Sequence, residues 1–146
     1  MTAMLLYVHP ILQLLALALG LWALVLAWPR FVTIHLKSKR IFRRRRHILL
    51  GEFCLGGFIL GMIGGLAMVR LQGKAWLATG EHAWGGLILL PLALFGLISG
   101  LYLAGSPAQR KVLPLLHGLG NLLVLGLAFY QAHTGRQVIA NFAGLP

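Results

Sequence analysis

Four runs of mostly uncharged residues divide the chain, at 5–28, 48–69, 83–103 and 113–131, and none holds Lys or Arg in its interior. Each is about 20 residues long, which crosses a bilayer as a helix. Backbone groups in lipid must be satisfied within the segment, so the runs predict helices rather than strands. The expected fold is all-α, an integral-membrane antiparallel four-helix bundle, forming one domain over residues 1–146.

The first run does not read as a cleaved leader. Residues 1–7 carry no Lys or Arg, and the run ends in Trp28-Pro29-Arg30 rather than at a small-residue cleavage site. A retained span is expected.

Composition agrees with the pattern. Of the residues, 59% are hydrophobic and 10% charged, against about 25% charged in soluble chains. The formal net charge of +11 does not point to nucleic acid, because of where the charge lies. Arg30, Lys37, Lys39, Arg40, Arg43, Arg44, Arg45 and Arg46 fall in the first connection, and Arg110 and Lys111 in the third. Only Arg70, Lys74 and Arg136 fall on the opposite side. This split predicts cytoplasmic first and third connections and both termini on the non-cytoplasmic side. The Arg run is read as a topology determinant touching anionic lipid, with a docking patch for an acidic redox protein as the alternative. Tyr7, Trp76, Trp84 and Tyr130 fall near the outer interface, and Trp28 and Tyr102 near the inner one. Trp22 lies deeper and is assigned to packing.

His9, His47, His82 and His117 stand at the starts of the four segments. In an antiparallel bundle His9 and His82 share one level, and His47 and His117 the opposite one. Two imidazoles facing each other at each level suit haem iron, because the porphyrin supplies the other four nitrogens. Zinc would want further thiolate, carboxylate or imidazole ligands. The one cysteine, Cys54, and the lack of Cys-x-x-Cys-His exclude covalent c-type attachment, so two haems b are expected. With both axial positions filled, the remaining iron chemistry is electron transfer.

The surroundings of each histidine qualify this reading. Gly51 follows His47 by one turn, Gly85 and Gly86 follow His82, and Gly120 and Asn121 follow His117. These glycines clear either a porphyrin face or a helix–helix contact. Gly57, Gly61 and Gly65 read as helix contact. His9 has Gln13 at that position and Pro10 beside it, read as a helix-start proline. His133 competes with His9 as the partner of His82, or hydrogen-bonds a substrate or a haem propionate. His35 is read as solvated. Glu52 is an interfacial ion-pair or proton-sharing candidate, and Glu81 either caps its helix or accepts from a ligand imidazole.

The motifs His9-Pro10-x-x-Gln13, His47-x-x-x-Gly51, Thr79-Gly80-x-His82 and His117-Gly118-x-x-Asn121, in order on four spans, resemble a four-helix bacterial and phototroph branch of the cytochrome b561 superfamily. The resemblance implies two b-type haems, with His9 and His82 holding the outer and His47 and His117 the inner. It also implies electron transfer across the membrane from ascorbate, quinol or a similar donor. Animal and plant members have six spans where this chain has four. No ascorbate site stands out, although the basic inner connection would attract an anionic reductant. Lys74 and Arg136 outside, and Arg46 or Lys111 inside, are expected to neutralise propionates. Expected partners are membrane lipid, a quinone or other small redox molecule, a redox protein, and a second copy or a larger complex. The alternative function is a non-redox assembly factor or a small lipid- or quinone-binding subunit.

Overall fold

The computed structural model describes residues 3–106 and 110–143. Among these there are four helices and no strand: α1 (Ala3–His35), α2 (Arg44–Leu71), α3 (Glu81–Gly105) and α4 (Val112–Ala143). All four are long and apolar enough to cross a membrane.

The helices overrun the apolar runs that predict them. At 33 residues, α1 measures about 50 Å, well beyond the roughly 30 Å hydrocarbon thickness. It begins at Ala3, in a stretch of good helix formers, so Pro10 lies inside the helix rather than at its start. It also continues through Pro29 to His35. Past Pro29, Thr33 Oγ1 donates to the Pro29 carbonyl at 2.8 Å. Trp28, Phe31 and His35 form a ladder of rings, with centres 5.5 and 4.9 Å apart. His35 is therefore packed on Phe31, not simply solvated. The α2–α3 connection turns at Gly73 and Gly80, which hold φ of +71° and +56°, values that a side chain disfavours.

As α1 is followed from His9 to Ala23, its contacts on α2 run from Gly65 through Gly57 and Cys54 to His47. The second pair is arranged likewise. His82 meets Thr134 and Gly135, and Ser99 meets His117. Neighbours around the bundle are α1–α2, α2–α3, α3–α4 and α4–α1. The diagonals, α1 with α3 and α2 with α4, show no Cα approach within 8 Å among the described residues.

The centre is filled by Ala16, Leu17, Cys54, Leu55, Phe58, Leu89, Ala93, Val124, Leu125 and Ala128. Their placement is regular. Ala16, Cys54, Leu89 and Val124 each stand 7 positions after the histidine of their own helix. Gly20, Phe58, Ala93 and Ala128 stand 11 positions after it. At about 100° per residue both offsets return to within roughly 20° of the histidine, so each helix turns one stripe inward. Gly20 is a close approach, since a Cβ there would lie 2.6 Å from Cys54 Sγ and 2.8 Å from Leu125 Cδ2. The outer faces are also apolar. Trp22, assigned from sequence to packing, is 59% exposed on that surface, alongside Val25, Leu60 and Leu123.

Candidate functional site

The same inward stripes bring the four histidines together in pairs across the diagonals. His9 and His82 have ring centres 6.3 Å apart with planes at 89°. His47 and His117 are 6.4 Å apart at 79°. A metal–nitrogen bond of about 2.0–2.1 Å, with about 1.1 Å from nitrogen to ring centre, separates two collinear imidazoles by about 6.2–6.4 Å. The observed spacings match that requirement at both ends. Among the described residues no cluster of three or more His, Cys, Asp or Glu forms. The donor set is therefore two imidazoles per site, which fits a macrocycle that brings its own nitrogens and falls short of the four ligands zinc prefers.

Each ring is held by the neighbouring helix in the same way. A backbone carbonyl faces it: Gly61 for His9, Ala23 for His47, Gln131 for His82 and Gly96 for His117. His47 Nδ1 donates to the Ala23 carbonyl at 2.9 Å. All four carbonyl residues lie 14 positions after the histidine of their own helix. Four residues further on, Gly65, Gly100 and Gly135 back the rings of His9, His117 and His82. A Cβ at any of the three would stand 3.1 Å from the ring Cε1. The equivalent position in α1 is Ala27, the one member of the set that carries a Cβ.

Two hydroxyls complete the α3–α4 pair. Ser99 and Thr134, 5% and 4% exposed, are the only buried polar side chains among the described residues. Ser99 Oγ donates to the Phe95 carbonyl at 2.6 Å, has the Gly96 carbonyl at 3.2 Å, and lies 2.9 Å from His117 Nδ1; with its proton on a carbonyl it is placed to accept from that nitrogen. Thr134 Oγ1 has the Tyr130 and Gln131 carbonyls at 3.3 Å and Gln131 Oε1 at 3.2 Å as acceptors for its proton, and lies 3.1 Å from His82 Nδ1, placed to accept from it. With Nδ1 engaged, Nε2 is the atom left to coordinate a metal in His47, His82 and His117.

The amides flanking the histidines are structural neighbours. Gln13 Nε2 donates to the Gly57 carbonyl at 3.1 Å and packs on Gly61. Asn121 Nδ2 donates to the His117 carbonyl at 2.8 Å. It lies 3.3 and 3.2 Å from the two ring nitrogens, so it stands over the ring face rather than in line with one lone pair. Gln131 donates to the His82 carbonyl at 2.9 Å.

His133 is not brought to His82. It is exposed, with Nε2 3.4 Å from Gln137 Nε2. Glu81 accepts from the Tyr130 hydroxyl at 3.0 Å, so the hydrogen-bond partner of the His82 ring is Thr134 rather than Glu81. Arg46, Lys111 and Arg136 are exposed. Lys74 lies in the α2–α3 turn, where its carbonyl accepts from Arg70 at 3.0 Å. At the opposite end Arg44 donates to the Ala104 carbonyl, and Arg110 reaches Tyr102 and Ser106 at 3.1 and 3.0 Å.

Sequence reasoning missed Ser99, Thr134 and the backing role of the glycines at 65, 100 and 135. Their signal is the fixed offset from each histidine, 17 positions for the hydroxyls and 18 for the glycines. A groove of about 540 Å³ between α1 and α2 runs past His9, lined by Leu12, Leu15, Leu60, Gly61 and Met68 among others. Comparison of the chain with family models, curated proteins and solved structures finds no match.

Proposed function

We propose that this chain is an integral-membrane antiparallel four-helix bundle that carries two b-type haems and passes electrons from one membrane surface to the other. The observation that carries the reading is the pair of facing imidazoles at each end, 6.3 and 6.4 Å between ring centres. His9 and His82 hold one haem, and His47 and His117 the other. A b-type haem held by two imidazoles supplies a one-electron carrier with no iron position open to substrate. The motif resemblance to the cytochrome b561 superfamily supports the same assignment.

The protein's own contribution is placement and exclusion of water. A facing carbonyl orients each ring, a glycine backs those of His9, His82 and His117, and the apolar centre around Leu89 and Val124 separates the two ends. Along α1, the 14 residues from His9 to the Ala23 carbonyl beside His47 span about 21 Å. Exposed apolar side chains on the outer faces suit lipid contact. The charge asymmetry of the connections favours both termini on the non-cytoplasmic side, and the motif resemblance to a bacterial and phototroph branch favours a bacterial inner (cytoplasmic) membrane. Arg46 and Lys111 inside, and Lys74 and Arg136 outside, are the cations available to propionates or an anionic partner.

The groove between α1 and α2 favours a second reading, a lipid- or quinone-binding module without redox chemistry. Replacing His47 or His117 with Ala separates the two. The di-haem reading predicts loss of one of two haem spectra from the purified protein. The binding-module reading predicts no change in visible absorption.

A further inference from the structure

The four helices repeat one design. Each histidine is followed at 14 positions by the carbonyl that faces a neighbour's ring and, in three of the four, at 18 positions by the glycine that backs it. The repeat departs from uniformity at the position 17 after each histidine. That position is Leu26 in α1, Gly64 in α2, Ser99 in α3 and Thr134 in α4. Two copies therefore carry a hydroxyl and two do not.

Both hydroxyls use their donor and acceptor capacity in the same way. Each has carbonyls of its own helix to take its proton, nearest at 2.6 Å for Ser99 and 3.3 Å for Thr134, with Gln131 Oε1 at 3.2 Å from the latter, which leaves an oxygen lone pair to accept. The Nδ1 of the histidine across the interface lies 2.9 and 3.1 Å away, placed to donate to that lone pair. A hydroxyl that already donates is a stronger acceptor. An imidazole whose Nδ1–H is held this way is fixed in one tautomer and is a more basic donor through Nε2.

We propose that Ser99 and Thr134 are positioning residues that give His117 and His82 a second Nδ1 partner beside the backbone carbonyl and so raise their donor strength. Each site then pairs one hydroxyl-supported imidazole with one supported by backbone alone. The proposal rests on the di-haem reading for its redox consequence, but its structural content stands without it.

The test uses the protein as purified and chemically reduced, with ¹⁵N-labelled histidine read by NMR, and each haem potential measured by optical titration. Ser99→Ala should move the Nδ1 signal of His117 alone and raise the midpoint potential of the His47/His117 haem alone. Thr134→Val should move the His82 signal and raise the potential of the other haem. Ser99→Thr and Thr134→Ser should restore wild-type values. Gly64→Ser, at a site where an added Cβ meets nothing within 4 Å, should lower the potential of the His9/His82 haem. Unmoved Nδ1 signals in Ser99→Ala and Thr134→Val would overturn the proposal, as would equal shifts at both haems. A wild-type preparation without haem would defeat the di-haem reading, and the NMR arm would still decide this one.

Discussion

Gly65 of α2 stands so close to His9 of α1 that an added Cβ would lie 3.1 Å from the ring Cε1. Contact at that range makes the ring give by a few tenths of an ångström, and a branched side chain would displace it outright. Gly65→Val should therefore remove the haem held by His9 and His82 and spare the other, lowering the haem-to-protein ratio from about two to about one. Gly100→Val should do the same to the His47/His117 haem. Haem extraction and difference spectra of the two variants check this.

His133→Ala should retain both haems and their spectra, because that side chain is exposed and meets Gln137 rather than His82. His9→Ala should lose one. Loss of haem from His133→Ala with retention in His9→Ala would reverse the assignment.

The packing at Gly20 predicts a contrast in stability. Gly20→Ala forces a Cβ to 2.6 Å from Cys54 Sγ and 2.8 Å from Leu125 Cδ2, an overpacking that costs about 1–3 kcal/mol and outweighs the gain of up to about 1 kcal/mol in helix propensity. Gly56→Ala meets nothing within 4 Å and removes a helix-weakening glycine, a gain of up to about 1 kcal/mol. Thermal denaturation in detergent should lower the midpoint for the first and leave it unchanged or raised for the second.

The near-perpendicular ring planes, 89° and 79°, carry a spectroscopic consequence. Were each pair to hold a haem iron with its rings crossed in this way, two iron d orbitals would lie nearly equal in energy, and the oxidised protein should give two highly anisotropic low-spin EPR signals. Ordinary rhombic signals from both centres would show that the rings are parallel.

How the fold is written in the sequence can be followed residue by residue. The four helices are legible as apolar runs, and the histidine pairs follow from alternating direction. Their ends are not legible, because α1 continues past Pro29 on a ring ladder of Trp28, Phe31 and His35 that hydropathy does not register. Sequence proximity points to Glu81 as a partner for the His82 ring, whereas the partner lies 52 residues away at Thr134. That contact needs two helices in register. The register is readable after the fact, as offsets of 7, 11, 14 and 18 from each histidine, all near multiples of the helical turn. A single helix shows only one apolar stripe among many apolar residues, so the pattern emerges when the four are aligned on their histidines. Of the two amides singled out by spacing, Asn121 stands over the His117 ring, whereas Gln13 packs on Gly61 and donates to the Gly57 carbonyl.

The central claim is most directly tested by the haem content of the purified, folded protein from haem-replete cells, measured against protein concentration with a reduced-minus-oxidised spectrum. The account predicts a b-type spectrum and about two haems per chain. A folded preparation with no visible absorption would contradict it.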